Sequence, residues 1–255
     1  MYLGVLVPTY VTPLVGTAPA CLIVTFGLFL LFNILFNYWS CVLTSPGYPG
    51  NFLPAPDDLE AGTDFTDYGE GWRTCRKCHC GKPPRTHHCS VCRKCVMKMD
   101  HHCPWVNNCV GFYNYKFFCL FLLYLALGCA FVAATCLIPL SHPHGFGRNQ
   151  LLMFTFVLTI SILFALSLFI GWHVYLIATN QTTIEFYGNR MDAKEARIAG
   201  EVWANPYSVG LRENFEQVFG ATRSWGAWLL PNRRKPPGDG MEFPVNPDAV
   251  PLHSV

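Results

Sequence analysis

Between Cys75 and Phe118 the chain reads CRKCHCGKPPRTHHCSVCRKCVMKMDHHCPWVNNCVGFYNYKFF, and no other stretch limits its possible folds so tightly. Eight of the thirteen cysteines lie here, threaded with His79, His87, His88, His101 and His102. Thiolate and imidazole at two-residue gaps suit tetrahedral Zn²⁺, because a tight turn brings both ends of Cys-x-x-Cys onto one ion. Cys80 and Cys103 fall outside that ligand spacing. Cys103 follows two histidines directly and is the candidate nucleophile. So short a segment has little room for a hydrophobic core, so metal must supply much of its folding free energy.

The flanking sequence is apolar. Hydrophobic residues make up 51% of the chain and charged ones 13%, where soluble domains carry about 25% charge. A net charge of +2 argues against a nucleic-acid partner. Residues 1–42 hold no charged side chain, and Pro19 to Val42 is long enough to cross a bilayer, with Tyr38 and Trp39 near its end as an interface belt. Two further spans are expected at 117–140 and 151–178. The first eighteen residues, broken by Pro8 and Pro13 and lacking a basic leader region, read as a short or incomplete first span with no cleavable signal. Residues 43–72 read as a linker, 73–116 as the zinc domain, 141–150 as a polar lumenal loop and 179–255 as a C-terminal region.

Lysine and arginine decide orientation. Nine lie between residues 43 and 116, one is Arg148 in the short loop, and eight follow residue 178. The zinc domain and the C-terminal region are therefore expected in the cytosol, and a reducing compartment favours metal over disulfides. The fold class that follows is an all-α polytopic membrane protein: three clear transmembrane helices, an incomplete first one, and a cytosolic two-zinc cysteine-rich domain between spans. Helical spacing is also expected over Met191–Val202 and Leu211–Phe219, with disorder near the end of the Pro- and Gly-rich stretch from Pro231.

The motif Cys-x2-Cys-x9-His-Cys-x2-Cys-x2-Cys-x4-Asp-His-His-Cys-x5-Cys-x4-Asn-x3-Phe resembles the cysteine-rich domain of the DHHC family of protein S-acyltransferases (palmitoyltransferases). Thr182-Thr183-Ile184-Glu185, the run from Asn205-Pro206-Tyr207 to Asn214-Phe215, and Gln217-Val218-Phe219-Gly220 resemble the same family. The resemblance implies two structural Zn²⁺, one on Cys75, Cys78, His88 and Cys95, the other on Cys89, Cys92, His102 and Cys109. Spacing alone leaves a simple sequential pairing open. It also implies an acyl-enzyme on Cys103, formed from palmitoyl-CoA or another long-chain acyl-CoA, with transfer to cysteines of substrate proteins at the cytosolic membrane face. The location implied is the endomembranes (Golgi, endoplasmic reticulum) or the plasma membrane.

His101 is expected to take the Cys103 proton, with Asp100 fixing its tautomer. Trp105, Phe118, Phe121, Leu122, Leu125 and Gly128 are expected to line the acyl cavity. The alternative for Gly128 is close helix packing. Lys82, Arg85 and His87 are expected to meet coenzyme A phosphates, with Lys94 and Lys98 as further basic candidates. Thr183 is placed by the resemblance beside Asp100, the alternative being a helix cap. Asn214 is expected to hold the tail through backbone hydrogen bonds. The rival reading is a zinc-binding membrane adaptor without catalysis.

Overall fold

The computed structural model describes residues 2–51, 72–141, 150–222 and 224–247. The chain falls into two units: Met1–Tyr38 with Cys119–Trp172, and Trp39–Phe118 with His173–Val255. Three long helices run through them: α2 (Thr17–Leu43), α3 (Tyr115–Leu140) and α4 (Gln150–Ala178). At about 1.5 Å per residue each exceeds the hydrocarbon core, roughly 30 Å thick. Among the described residues these three are the helices long and apolar enough to cross a membrane. Their few hydroxyls do not compete with lipid. Thr25, Thr155, Ser161 and Ser167 each donate to the carbonyl four residues back, at 2.7–2.9 Å.

In the first unit, a π-helical stretch Tyr2–Val11 leads into the single turn α1 (Thr12–Val15). Val7, Val11 and Ala20 form a buried cluster with Ile23, Val24 and Ile138, while Leu6 packs with Cys136, Leu140 and Leu152. The short N-terminal stretch is therefore a packed helix, although shorter than a span.

Helices α2 and α3 pack antiparallel through Tyr38 on Phe121 (5.4 Å between ring centres) and Phe26 on Phe131 (5.4 Å). Gly128 lies between these contacts. A Cβ there would sit 3.2 Å from Ile34 Cδ1. Phe121 and Gly128 face the neighbouring helix, which supports the close-packing alternative for Gly128, since the small residue lets Ile34 approach. Gly128→Phe is accordingly expected to lose stability by overpacking, about 1–3 kcal/mol or more, and to reduce activity at every acyl-chain length. A length series showing a selective loss of long chains would favour the cavity assignment instead.

The second unit contains three two-stranded antiparallel hairpins: β1 (Arg73–Thr74) with β2 (Gly81–Lys82), β3 (His87–Cys89) with β4 (Lys94–Val96), and β5 (His101–Cys103) with β6 (Asn108–Val110). Two helices follow the last span, α5 (Thr183–Ala199) and α6 (Leu211–Phe219). The end of α2 is tied to the zinc domain by side-chain amides. Asn108 Nδ2 donates to the carbonyls of Cys41, Val42 and Thr44 at 3.1–3.3 Å. Asn114 Nδ2 adds donations to Cys109 O (2.8 Å), Cys41 O and Thr44 O (both 3.4 Å). Carbonyls at a helix C-terminus have no intrahelical partner, so these two asparagines satisfy them.

The expected linker lies mostly outside the described residues, at 52–71. Its start is not free chain: Met97 N donates to Gly47 O (3.0 Å) and Tyr113 N to Pro46 O (3.2 Å). Residues 142–149 of the expected loop at 141–150 also lie outside, as do residues 248–255 at the end of the stretch from Pro231, near which disorder is expected. Up to Pro247, however, the largely exposed Pro- and Gly-rich tail is tied down at several points. Tyr113 Oη donates to Asp239 O at 3.0 Å, and Lys116 Nζ donates to Asn232 Oδ1 at 2.9 Å. Gly240 has φ +84°, and a Cβ there would come within 2.8 Å of the Phe112 ring. Phe243 then lies against Phe112 and Tyr207.

Candidate active site and metal centres

Strand alternation sorts the cysteines. Successive side chains of a strand point to opposite faces. In β3, His88 and its cross-strand partner Cys95 turn toward Cys75 and Cys78, while Cys89 turns the other way, toward Cys92. In β5, His102 and its partner Cys109 complete that second group. The interleaved pairing is thus the one the structure adopts, since each four-residue set has all its ligand atoms within 4.8 Å of one another. In the first, Nδ1 of His88 is 3.7, 3.1 and 4.0 Å from the sulfurs of Cys75, Cys78 and Cys95. In the second, Nδ1 of His102 is 3.8, 3.3 and 3.6 Å from Cys89, Cys92 and Cys109. A tetrahedral zinc with Zn–S about 2.3 Å has edges of about 3.5–3.8 Å, so the donor sets fit. Three thiolates and an imidazole leave no open position, and zinc there would cross-link hairpins without touching substrate.

The alternation that commits His102 to metal sends His101 and Cys103 to the opposite face together. Asp100 Oδ2 accepts from His101 Nδ1 at 2.6 Å, and the imidazole also interacts with the nearby Cys103 thiol. Thr183 holds Asp100 twice, backbone N to Oδ1 at 2.8 Å and Oγ1 to Oδ2 at 3.0 Å. Burial disfavours a charged His101, but its bonds to Asp100 and Cys103 outweigh this and raise its pKa to about 9. Burial also disfavours the Cys103 thiolate. Its bond to His101 and the backbone N–H groups of Val106 and Trp105 outweigh that, and hold the thiol below its usual range.

Those N–H donors have a structural origin. The metal turns repeat every fourteen residues: Cys75, Cys78, His88 and Cys95 map onto Cys89, Cys92, His102 and Cys109. The same step connects three left-handed turn residues, His79 (φ 51°), Arg93 (φ 55°) and Asn107 (φ 47°). In the first two turns the N–H of the second cysteine donates to the first sulfur, Cys78 to Cys75 (3.4 Å) and Cys92 to Cys89 (3.3 Å). Cys103 begins a third such turn. Val106, Lys116 and Leu123 stand where its partner ligands would be. Cys103 therefore keeps the anion-stabilising backbone of a zinc knuckle while its thiol is left for chemistry.

Thr182-Thr183-Ile184-Glu185 divides four tasks. Thr182 is the N-cap of α5, and Glu185 closes a capping box with it. Thr183 reaches Asp100, and Ile184 packs on the cluster of Cys89, Val96, Met99 and Cys109. Cap and aspartate contact are both present, on different residues. Glu185 also accepts Arg85 Nε and Nη2, both at 2.7 Å, while Arg85 donates to Asn180 Oδ1 and O and lies over the Tyr207 and Phe243 rings.

This corrects Arg85: its side chain is 0% exposed and fully engaged, so it cannot meet a coenzyme A phosphate. Lys98 is likewise buried, donating to Asn180 Oδ1. His87 is driven down to a pKa of about 4 by burial and stays neutral, so it offers no cation. Lys82 pairs with Arg73 in the first hairpin and remains half-exposed. Trp105 is 85% exposed at the third turn, outside any buried cavity. Phe118 is buried, its ring 5.1 Å from that of His101; Leu122 is buried and Leu125 half-buried on α3. Asn214 Nδ2 donates to Ala178 O at 2.8 Å, holding α6 to the end of α4.

Because the Arg85–Glu185 pair is buried, removing one partner leaves an uncompensated charge. Arg85→Met is expected to destabilise this unit by about 3–5 kcal/mol, and Arg85→Met with Glu185→Met by far less. Chemical denaturation of both variants, followed by metal release, checks it.

One residue at the centre was missed in the sequence. His173 is buried near the end of α4, accepts from or donates to Tyr115 Oη through Nδ1 (2.9 Å), and its ring lies 6.1 Å from that of His101. An ionisable side chain inside an apolar span was the available signal.

A thiol beside an Asp–His pair, next to two Cys₃His groups on a chain with three helices long and apolar enough to cross a membrane, defines the candidate site. The sequence model of the DHHC palmitoyltransferase family matches residues 69–190. Probable protein S-acyltransferase 12 of Arabidopsis thaliana is 39% identical over 257 residues, covering 92% of this chain and 83% of that one. Palmitoyltransferase ZDHHC2 of Mus musculus is 36% identical over 261 residues, covering 91% and 68%. The chain belongs to the DHHC palmitoyltransferase family.

Proposed function

We propose that this chain is a protein S-acyltransferase that takes its acyl group from palmitoyl-CoA or a similar long-chain acyl-CoA and works at the cytosolic membrane face. The observation that carries the reading is the hydrogen-bonded line Thr183–Asp100–His101, with Cys103 beside His101 on the strand face opposite the metal ligand His102. The Cys103 thiolate attacks the thioester carbonyl, and the C–S bond to coenzyme A breaks. The departing thiolate takes the proton held on His101. A substrate cysteine then returns a proton to His101 as its sulfur attacks the acyl-enzyme, and Cys103 leaves as thiolate. Asp100 stabilises the imidazolium throughout. Phe118, packed on the His101 ring, is the first apolar side chain beside the nucleophile, and Lys82 and the exposed Lys94 are the candidates left for the coenzyme A phosphates. The basic residues of the zinc domain and the C-terminal region support a cytosolic placement. Bound zinc supplies cross-links that hold the hairpins in register.

The test is single-turnover labelling of the purified protein in nanodiscs with palmitoyl-CoA. One hydroxylamine-sensitive acyl group per chain, released as one coenzyme A and then transferred to a cysteine peptide, is the expected result. A protein with two zincs and no thioester would instead be an adaptor.

A further inference from the structure

Against Asp100 lies a cavity of about 20 Å³ lined by Lys98, Asp100, Tyr115, Asn180, Gln217 and Val218, among others. One water needs about 10–15 Å³ measured this way, so the space admits one and no more. The orientation of Gln217 follows from its neighbours. Arg85 can only donate, and it points at Asn180 Oδ1 (3.1 Å), which also faces Lys98 Nζ (3.3 Å). Asn180 Nδ2 must then be the donor, and it meets Gln217 Oε1 at 3.0 Å. The remaining atom, Gln217 Nε2, is a buried donor with no partner, on a residue only 9% exposed. Asp100 is the acceptor in the same wall, with two protein donors on Oδ2 and one on Oδ1. An orphaned buried amide donor, a buried lysine amine and a carboxylate around a water-sized space call for a group that both accepts and donates.

We propose that this cavity is a site for a single ordered water that accepts from Gln217 Nε2 and Lys98 Nζ and donates to Asp100, making Gln217 a positioning residue of the catalytic pair. The inference rests on the acyl-transfer reading of Asp100–His101–Cys103. It gives α6 a second task besides holding the tail: the helix orients the carboxylate that orients His101. A water so held fixes Asp100 against rotation without occupying the face that His101 needs.

Two variants separate this from simple packing. Gln217→Glu keeps the acceptor for Asn180 and removes the donor. Val218→Ile adds one methylene to the cavity wall and leaves every hydrogen bond between protein groups in place. With the water in place, both are expected to lower the rate of acyl-enzyme formation on the order of tenfold or more, with KM for palmitoyl-CoA and the content of two zincs unchanged. High-resolution maps of the wild-type protein should show density within about 3.2 Å of Gln217 Nε2 and Lys98 Nζ. If the cavity is empty, Val218→Ile raises thermal stability and leaves the rate unchanged, and the proposal is wrong. Lowered rate with raised KM and lost metal would assign Gln217 a purely structural role and also overturn it. Failure of the acyl-transfer reading looks different: wild type itself then forms no acyl-enzyme.

Discussion

Cys103→Ser is expected to abolish the hydroxylamine-sensitive acyl-enzyme while the protein retains two zincs. The reasoning is positional. Cys103 lies on the face of β5 opposite His102, and both Cys₃His groups close without it. A serine hydroxyl in its place is far harder to deprotonate than the thiol and could form only an oxyester, so the thioester intermediate is lost and the fold is kept. His101→Ala should act in the same direction, slowing acyl-enzyme formation by about 10²–10⁴ with metal retained, because the ring carries the proton and ligates nothing. His102→Ala, one residue along, should lose a zinc. Metal analysis beside acyl labelling of the three variants is the measurement. Loss of zinc in Cys103→Ser, or retention of both zincs in His102→Ala, would falsify the division of labour between neighbours on this strand.

The second large effect is on folding. Cys109→Ser is expected to cost one zinc and with it much of the second unit's stability, since a structural zinc contributes about 10–16 kcal/mol in small domains. The catalytic centre should be lost at the same time. Cys109 is the cross-strand partner of His102, and the opposite face of that hairpin carries His101 and Cys103. Cys75→Ser should also lose one zinc but act less directly, because its site is shared by β3 and β4 and not by β5. Cys80→Ser should lose none, as Cys80 belongs to neither four-residue set. Zinc per chain, together with protease resistance of the hairpins, tests the series. Two zincs in Cys109→Ser, or fewer than two in Cys80→Ser, would break the assignment.

The repeat that generates the centre was present in the sequence but needs the backbone to be interpreted. A fourteen-residue step relates the two ligand sets, and it would have chosen the interleaved pairing over the sequential one. It did not show that a third turn follows, because Val106 replaces the cysteine that would mark it. The left-handed φ of Asn107, in step with His79 and Arg93, is what reveals it. Basic residues were the least legible. Arg85, Lys98 and Lys82 look alike as letters, yet Arg85 is sealed between Glu185 and two rings while Lys82 remains half-exposed. Gly128 likewise admits two readings, and the Ile34 side chain against it favours packing.

Legible in the sequence by itself was what depends on local spacing: the cysteines and histidines that form the two four-residue groups, the adjacency of Asp100, His101 and Cys103, and three helices set by apolar length. Two-residue gaps, strand alternation and an uninterrupted apolar run act within a few residues of chain, so they can be read along it. Tertiary structure alone decided which charges are spent on the protein's own fold, that the Pro- and Gly-rich tail is anchored through Asp239, Gly240 and Phe243, and that Thr183, Gln217 and His173 converge near Asp100. Those contacts join residues some 70 to 160 positions apart by roughly counting along the chain, and no local periodicity encodes a partner at that distance.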